Sequence, residues 1–380
     1  MASVHLTDAT NFIIIVYKKS VSKNNLGLLV MQVARMNEGK AITIYDIARE
    51  AGVSPSTVSR VLTNNANVRQ EKKERVLSLI EKYNFKPNAL ARGLADSRSK
   101  VIGVLTADIR NPFYAALFVA CEVAAKEAGY TLLCSNSLDV LSQEEALLEK
   151  LQEQKVDAII QVGGSVDDLS TNLEYSEFIN RIMTTTPVVV TGKLDGTQCH
   201  MVRIDNVKVM DLLMEHLLSL NHTRIALVGG GMDVSSTFEK VQRYKQILQK
   251  NKIDYDPELL RINGSYNADS GYELMNDLLD NGVVPTAVIA INDFAAVGIN
   301  RSILEHGYRI PQDISVVSQD NTFLTRIAVP NLTSVDYDYE QFGKKLIETA
   351  ISVVEGREVS MLQTVTPKLV VRESSGPAPH

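Results

Sequence analysis

The chain has 380 residues, of which 45% are apolar and 22% charged, and its net charge is −6. This balance excludes a wholly disordered or fibrous protein, and the length suits two or three domains of about 100–200 residues each. No apolar run approaches the roughly 20 residues of a membrane helix, so we expect no membrane partner. The three cysteines, Cys121, Cys134 and Cys199, form neither a disulfide framework nor a zinc motif, which predicts reduced thiols and a cytoplasmic location.

Charge is unevenly distributed along the chain. Residues 40–98 carry 11 Lys and Arg against 6 Asp and Glu, whereas residues 99–380 carry 24 against 37. A small basic module therefore precedes a large acidic body. This asymmetry points to a polyanion as the partner of the first module.

Residues 41–86 predict short helices and no strand. Thr43 and Asp46 have the spacing of a capping box, and Gly52 supplies the stop of the first helix. Ser54 caps a second helix, and Pro55 lies in its first turn. A third helix is expected from about residue 69, with an inward apolar face formed by Val76, Leu77, Ile80 and Tyr83.

A helix, a turn containing glycine and a second helix can place that second helix in the major groove of DNA. The outward face of the second helix carries Ser56, Thr57, Ser59 and Arg60. Hydroxyls can bond phosphates or base edges, and Arg can bond guanine in bidentate fashion. From these residues alone, an ordinary three-helix bundle with a polar surface is the alternative.

From residue 101 onward, short apolar runs alternate with amphipathic stretches. The runs interpreted as strands are 101–107, 131–135, 158–162, 188–191, 225–229, 259–262, 287–291 and 314–318, and the predicted helices include 113–128, 143–154, 208–220, 242–250, 271–280 and 294–305. This pattern predicts parallel sheets covered on both faces. Because the units are too many for one comfortable sheet, we expect two α/β subdomains, with a closed barrel as the alternative.

Three stretches resemble the LacI–GalR family of bacterial repressors: residues 44–62, the linker 86–94 and residues 101–104. Residues 311–315 and the pair Asp320 and Asn321 also fit this family. The resemblance covers about residues 41–373. It implies a helix-turn-helix module at residues 41–86 plus a hinge helix and linker at 87–99, followed by two α/β parallel-sheet subdomains of periplasmic-binding-protein type at 100–373.

The function implied by this resemblance is a DNA-binding transcription regulator, a repressor of carbohydrate genes that binds a palindromic operator as a homodimer. In the first module, the resemblance implies DNA contacts by Tyr45, Ser54, Pro55, Ser56, Thr57, Ser59, Arg60 and Asn64. Because Ser56 and Pro55 are poor at bidentate base contact, we expect Arg60 to carry more of the direct readout.

The hinge is implied to contact DNA through Asn88, Ala91, Arg92 and Leu94. A helix of about eight residues is unstable in water, so its folding must be coupled to the partner hinge and to DNA. Leu94 matches the leucine that the family inserts into the minor groove. The alternative is that Leu90 and Leu94 belong to an ordinary core stripe.

For the body, the resemblance implies a small sugar-like effector held between the two subdomains. The effector residues that it implies are Phe113, Tyr114, Asn136, Lys193, Arg243, Tyr266, Asn292, Asp293 and Asp320. Arg243 matches the family's ligand-clamping arginine, whereas Asp293 could equally cap the following helix. Gln319 and Lys193 depart from the family's usual residues, which leaves the identity of the ligand open.

Two other functions compete with this interpretation. Residues 108–115 resemble the catabolite-control subgroup, whose signal is a phosphorylated phosphocarrier protein. A sugar-metabolising α/β enzyme with a fused helical module is the rival from another class, but we find no motif for a metal or a nucleophile. We therefore expect no enzyme activity, no metal and no cofactor.

The two ends of the chain fall outside this pattern. Family members begin a few residues before the capping threonine, which is Thr43 here. We therefore expect residues 1–40 to be a non-native or disordered extension, with the native start at Met36; a genuine N-terminal arm is the alternative. Residues 374–380 are expected to form a disordered tail.

Overall fold

The computed structural model describes residues 42–62, 68–85 and 98–379. The chain divides into two compact units, Met1–Ala95 and Asp96–His380. Within the described residues, no helix has both the length and the apolar character needed to cross a membrane. The expected extension at residues 1–40 and the hinge helix lie outside the described residues.

The described part of the first unit contains the helices α1 (Ile44–Ala51), α2 (Pro55–Leu62) and α3 (Gln70–Lys82). The predicted capping box is confirmed, because the Thr43 N–H donates to Asp46 Oδ2 at 3.0 Å and the Asp46 N–H donates to Thr43 Oγ1 at 3.4 Å. Gly52 follows α1 with a φ of 66°, a left-handed conformation that glycine adopts without strain. Local chemistry thus sets both ends of α1.

A small apolar core holds these three helices together. Ile47, Val58 and Val76, one from each helix, are fully buried. The predicted inward face of α3 is partly wrong, since Leu77 is 45% exposed and Leu79 packs against the core instead. Residues two apart on a helix point in nearly opposite directions, so only one of these two leucines can face inward.

The second unit contains two six-stranded sheets, which we call lobe 1 and lobe 2. Lobe 1 consists of β1 (Val101–Thr106), β2 (Thr131–Asn136), β3 (Ala158–Val162), β4 (Val188–Val190), β5 (His200–Ile204) and β11 (Leu362–Val365). Lobe 2 consists of β6 (Ile225–Val228), β7 (Leu260–Arg261), β8 (Ala287–Ala290), β9 (Ser315–Asp320), β10 (Thr333–Asp336) and β12 (Lys368–Val370).

The strand orders are β11-β5-β4-β3-β1-β2 in lobe 1 and β12-β10-β9-β8-β6-β7 in lobe 2. Neighbouring strands are parallel except for the pair β10 and β12. Two parallel-sheet subdomains are therefore confirmed, and the alternative of a closed barrel is wrong. Because consecutive strands change sheets after β5, β10 and β11, the chain passes between the lobes at three places.

Helices cover both sheets, as the alternating pattern predicts. They are α4 (Pro112–Glu127), α5 (Leu141–Glu153), α6 (Leu173–Met183), α7 (Asn206–Ser219), α8 (Ser235–Lys250), α9 (Ala268–Asp280), α10 (Asp293–Glu305), α11 (Leu324–Ile327) and α12 (Tyr339–Val354). The strands β5, β10, β11 and β12 were not predicted. β11 and β12 lie at sheet edges and are partly exposed, and β10 is rich in polar residues. These three strands therefore lack the continuous apolar run by which a buried strand is recognised.

The expectation of a disordered tail is wrong for residues 374–379. Ser374 is fully buried, and its carbonyl accepts a hydrogen bond from the Val316 N–H at 2.7 Å. Further along, Gly376 O lies 2.9 Å from the imidazole Nε2 of His222. The small and polar composition resembles a solvated tail, but the backbone of the segment completes the hydrogen bonds of lobe 2.

Candidate functional site

One face of α2 in the first unit is polar and accessible. Ser54 caps the helix by accepting the Thr57 N–H at 3.2 Å, and its hydroxyl lies 2.8 Å from Ser56 Oγ. Val58 is buried on the inner side of α2, whereas Ser56 and Arg60 are exposed on the other side. Short hydroxyls and one guanidinium on a single helix face can reach phosphates and base edges.

The remaining residues implied to bind DNA are placed as follows. Tyr45 lies in the first turn of α1 and is 70% exposed, so its phenol is available to contact the DNA backbone. Pro55, Thr57 and Ser59 are half-buried along α2. The predictions for Asn64, Asn88, Ala91, Arg92 and Leu94 fall outside the described residues.

A cavity of about 400 Å³ lies between lobe 1 and lobe 2. Much of its lining comes from the loops that follow the carboxyl ends of strands in both sheets, where ligands bind in open parallel sheets, and the rest comes from neighbouring helices such as α4 and α8 and from β5. Six of the nine residues implied by the family resemblance line this cavity: Phe113, Tyr114, Lys193, Tyr266, Asn292 and Asp320. The structure therefore has a cavity at the position where the ligand site is expected.

Aromatic side chains form one wall of the cavity. The Phe113 ring meets Tyr114 edge-on at a centroid distance of 5.2 Å and Tyr337 at 6.1 Å. The Tyr266 hydroxyl lies 2.7 Å from the Thr237 hydroxyl, which fixes the orientation of its ring. Such a wall combines apolar ring faces with orientated polar tips.

Lys240 is a cavity residue that the sequence interpretation missed. It lies on α8, lines the cavity and is only 5% exposed. Burial lowers the pKa of its ammonium to about 8, while nearby Asp320, Glu239 and Asp167 oppose this shift. Helical periodicity could have found it, because Lys240 shares the buried face of α8 with Tyr244.

Asp320 ends β9 at the cavity with a φ of 100°. This left-handed backbone conformation costs a residue with a Cβ on the order of 1–3 kcal/mol and is found most often at functional sites. The side chain is 5% exposed, and burial together with Asp293 holds the pKa of its carboxyl well above the usual range. The nearby ammonium of Lys240 lowers the pKa of this carboxyl. A buried ammonium and a buried carboxyl thus line the same cavity.

Arg243 does not line the cavity, contrary to the expectation. Its Nε donates to Asp211 Oδ1 on α7 at 2.6 Å, and its Nη1 donates to Gln246 Oε1 at 3.1 Å. Arg243 follows Lys240 by three positions on α8, but the Arg243 side chain points toward α7 and the Lys240 side chain lines the cavity. The positive side chain of α8 at the cavity is therefore Lys240.

Asn136 and Asp293 are also absent from the cavity lining. The Asn136 Oδ1 accepts the Ile109 N–H at 2.8 Å and so shapes the turn after β1. The buried Asp293 carboxylate accepts hydrogen bonds from Ser318 Oγ at 2.6 Å and Ser334 Oγ at 2.7 Å. Asp293 does not cap α10 either, because that role belongs to Asn292, whose Oδ1 accepts the N–H of residue 295 at 2.7 Å.

The two lobes touch beside the cavity through residues 167–169 and 233–235, which we call the inter-lobe bridge. The Leu169 N–H donates to Asp233 O at 2.6 Å, and the Ser235 N–H donates to Asp167 O at 2.8 Å. Asp168 and Val234 form an isolated antiparallel β-bridge. Backbone hydrogen bonds therefore hold the lobes together on this side of the cavity.

Metal binding has no geometric support in residues 42–62, 68–85 and 98–379, where no group of three or more His, Cys, Asp or Glu side chains is arranged to hold an ion. Two cations of the cavity lining form ion pairs, Arg203 with Glu239, which also lines the cavity, and Lys193 with Asp195, which does not. Arg203 Nη1 lies 3.1 Å from Glu239 Oε1, and Lys193 Nζ lies 2.8 Å from Asp195 Oδ1.

Comparison with known proteins agrees with this geometry. Residues 43–88 match the model of the bacterial regulatory proteins of the lacI family, and residues 214–375 match a periplasmic binding protein-like domain. Catabolite control protein A of Staphylococcus epidermidis is 33% identical over 311 residues, which cover 80% of this chain and 91% of that protein. The chain belongs to the lacI family. Catabolite control protein A of Priestia megaterium is similarly 34% identical over 296 residues, 77% of this chain and 87% of the relative.

Solved structures of the same architecture include a lac repressor dimer bound to operator and the anti-inducer ONPF. That structure has a TM-score of 0.78 and 27% identity and covers 89% of this chain and all of the matched chain. A complex of the transcriptional regulator CelR with cellobiose has a TM-score of 0.65 and 26% identity, covering 88% of this chain and 99% of the other. This lacI-family chain is a DNA-binding transcription regulator.

Proposed function

We propose that this lacI-family regulator represses carbohydrate genes, binds a palindromic operator as a homodimer and responds to a small sugar-like ligand between the lobes. The composition of the cavity carries this proposal. Phe113 and Tyr114 supply ring faces that pack well on sugar C–H surfaces, and the Lys240 ammonium and the Asp320 carboxyl supply buried hydrogen-bonding partners for hydroxyls. The similarity to a regulator solved with cellobiose supports a sugar as the ligand.

Control by a ligand requires two states of the protein that bind the ligand differently. Both lobes line the cavity, so a ligand that touches both favours the arrangement in which they are close together. In the proposed mechanism, this rearrangement changes the separation of the two hinge segments in the dimer. The operator affinity then rises or falls according to which of the two arrangements binds DNA more tightly.

The test of this function is DNA binding by the full chain to fragments from around its own gene. Fluorescence anisotropy at several salt concentrations should show that one fragment stays bound as salt rises while the others are released. Addition of sugars to the specific complex then gives the sign of the ligand effect. Equal and weak binding to every fragment, with or without sugars, would contradict the proposal.

A second candidate signal is a phosphorylated phosphocarrier protein. The similarity at 33–34% identity to proteins named catabolite control protein A favours this alternative. Pull-down of the phosphocarrier protein before and after its phosphorylation separates the two signals. Capture of the phosphorylated form alone, with no response to sugars, would replace the sugar as the effector.

We also propose that the protein acts without catalysing a reaction and works in the cytoplasm, where bacterial DNA is located. The similarity to transcription regulators along 77–80% of the chain supports both points. Turnover of any member of a panel of sugars and sugar phosphates by the purified protein would contradict the first point.

A further inference from the structure

Lys240 is a buried cation of the ligand cavity that the chain does not pair. It lies on α8, lines the cavity and is only 5% exposed. Among the residues that the structure describes, its ammonium has no hydrogen-bond or ion-pair partner within 4 Å. A buried charge is normally paired or hydrogen-bonded, because removing it from water is costly. This position of the cavity therefore favours a ligand group with negatively charged oxygen atoms.

Three carboxyl groups lie near Lys240, but they compensate its charge only in part. They belong to Asp320 at the end of β9, Glu239 on α8 and Asp167 after β3. Glu239 already forms an ion pair with Arg203 at 3.1 Å. Burial raises the pKa of Asp320 well above its usual range and that of Asp167 to about 7, which favours the neutral form of both carboxyls.

Four helices begin at the cavity and add to its positive potential. Phe113 of α4, Asn206 of α7, Ser235 of α8 and Phe294 of α10 all line it, and each stands at the first or second position of its helix. The N-terminus of a helix carries about half a positive charge and favours anions within its first turn. Helix termini alone assign no ligand, but here they line the same cavity as the buried ammonium of Lys240.

The charges of the lining favour a ligand with a single negative charge. The other two cations of the lining, Lys193 and Arg203, are held in ion pairs at 2.8 and 3.1 Å. Among the described lining residues, this leaves the one positive charge of Lys240, which a carboxylate matches. A phosphate dianion would bring a second negative charge toward Asp320. Three further carboxylates of the lining are exposed to water, which screens their charge: Asp139, Asp168 and Asp233.

We propose that the effector is a sugar acid whose carboxylate binds the ammonium of Lys240. The ring faces of Phe113 and Tyr114 pack on the sugar, and the Asp320 carboxyl forms hydrogen bonds with its hydroxyls. A neutral sugar would satisfy the hydrogen bonding of Lys240 but not its charge. The inference rests on the proposed function, because it names the chemical class of ligand for the same cavity.

The test compares sugars that differ only at carbon 6. Glucose, glucuronate and glucose 6-phosphate carry a hydroxyl, a carboxylate and a phosphate, respectively; galactose, galacturonate and galactose 6-phosphate form a second matched set. Isothermal titration calorimetry with the full chain at pH 7 should show that at least one acid binds about tenfold or more tightly than the neutral sugar and the phosphate of its set.

Two substitutions of Lys240 and a matched control locate the effect. Lys240→Met removes the charge at nearly the same side-chain length and should reduce the affinity for the acid to that for the neutral sugar. Lys240→Arg keeps the charge and should keep the preference for the acid. Lys250→Met, at an exposed position in the last turn of α8 outside the cavity, is the control and should bind all six sugars as the wild type does.

The pH dependence of the wild type tests the charge without any substitution. Burial lowers the pKa of the Lys240 ammonium to about 8, while the carboxylate of a sugar acid stays ionised above pH 7. The affinity for the acid should therefore fall about tenfold between pH 7 and pH 9, as the ammonium loses its proton. Lys240→Arg stays charged and should retain most of its affinity at pH 9. This variant also controls for the ionisation of Asp167 in the same range.

The outcomes separate this inference from the proposed function. Equal affinity for acid and neutral sugar in both sets, tighter binding of the sugar phosphates, or an unchanged preference in Lys240→Met would each overturn the inference. Failure of both acids to bind would overturn it as well, while a change of operator affinity on addition of a neutral sugar would keep the proposed function. Absence of specific binding to any DNA fragment would overturn the proposed function and leave the calorimetric preference, which is measured without DNA, as it is.

Discussion

Neutralising Asp167 tests the electrostatics of the cavity. Burial raises the pKa of Asp167 from 3.8 to about 7, against the opposing charge of Lys240. Ionising this carboxyl in the folded protein therefore costs up to about 4 kcal/mol, at 1.36 kcal/mol for each unit of pKa. Because part of the side chain faces the open cavity, we expect about half of this value, roughly 2 kcal/mol.

The direction in which stability changes with pH follows from proton binding by Asp167. The folded pKa of Asp167 lies above the unfolded value, so the folded state keeps the proton between about pH 4 and pH 7 and the wild type loses stability as the pH rises through this window. Asn has a similar shape and cannot ionise. The substitution Asp167→Asn should therefore increase stability relative to the wild type progressively up to about pH 7, and by a constant amount above it.

Urea unfolding measures this effect at pH 5, 6, 7 and 7.5. Circular dichroism is the suitable signal, since the chain contains no tryptophan. The substitution Asp254→Asn, at an exposed position outside the cavity, is the control and should change the free energy of unfolding equally at every pH. Parallel stability profiles for the wild type and Asp167→Asn, or a loss of stability at pH 7.5, would refute the reasoning.

Four further substitutions test the DNA and ligand sites. Arg60→Ala should weaken operator binding about tenfold more than binding to scrambled DNA, because a bidentate base contact contributes about 1–3 kcal/mol of discrimination. Anisotropy titrations with both DNAs measure this difference. Equal losses of affinity for the two DNAs would show that Arg60 contacts phosphates instead of bases. Lys240→Met should abolish the ligand response, whereas Arg243→Ala should preserve it, since of these two residues Lys240 alone lines the cavity. Calorimetry with one sugar would disprove this if the Arg243 variant lost affinity for the sugar and the Lys240 variant kept it. Leu94→Ala should reduce specific DNA binding far more than non-specific binding, and a uniform loss would contradict its role as a minor-groove wedge.

Local sequence chemistry predicts much of the fold. The ends of α1 follow from the capping box of Thr43 and Asp46 and from Gly52, because these interactions span only a few residues. The buried strands β3 and β8 are continuous apolar runs that are visible without any tertiary information. By contrast, β10 is internal to its sheet but reads Thr-Ser-Val-Asp, and its hydrogen bonds to β9 and β12 come from distant parts of the chain.

The site divides in the same way. The family resemblance implied both Tyr114 and Asp320 as ligand residues, and the two line one cavity at the carboxyl ends of the parallel strands, where ligands bind in such sheets. Only the tertiary structure decides that Lys240 faces this cavity while Arg243 pairs with Asp211, since that outcome depends on how α8 packs between lobe 2 and α7. The sequence by itself therefore determines the elements and the edge at which ligands bind, through short-range capping and periodicity. Which charged side chain reaches the ligand is decided by contacts between residues that are far apart in the chain.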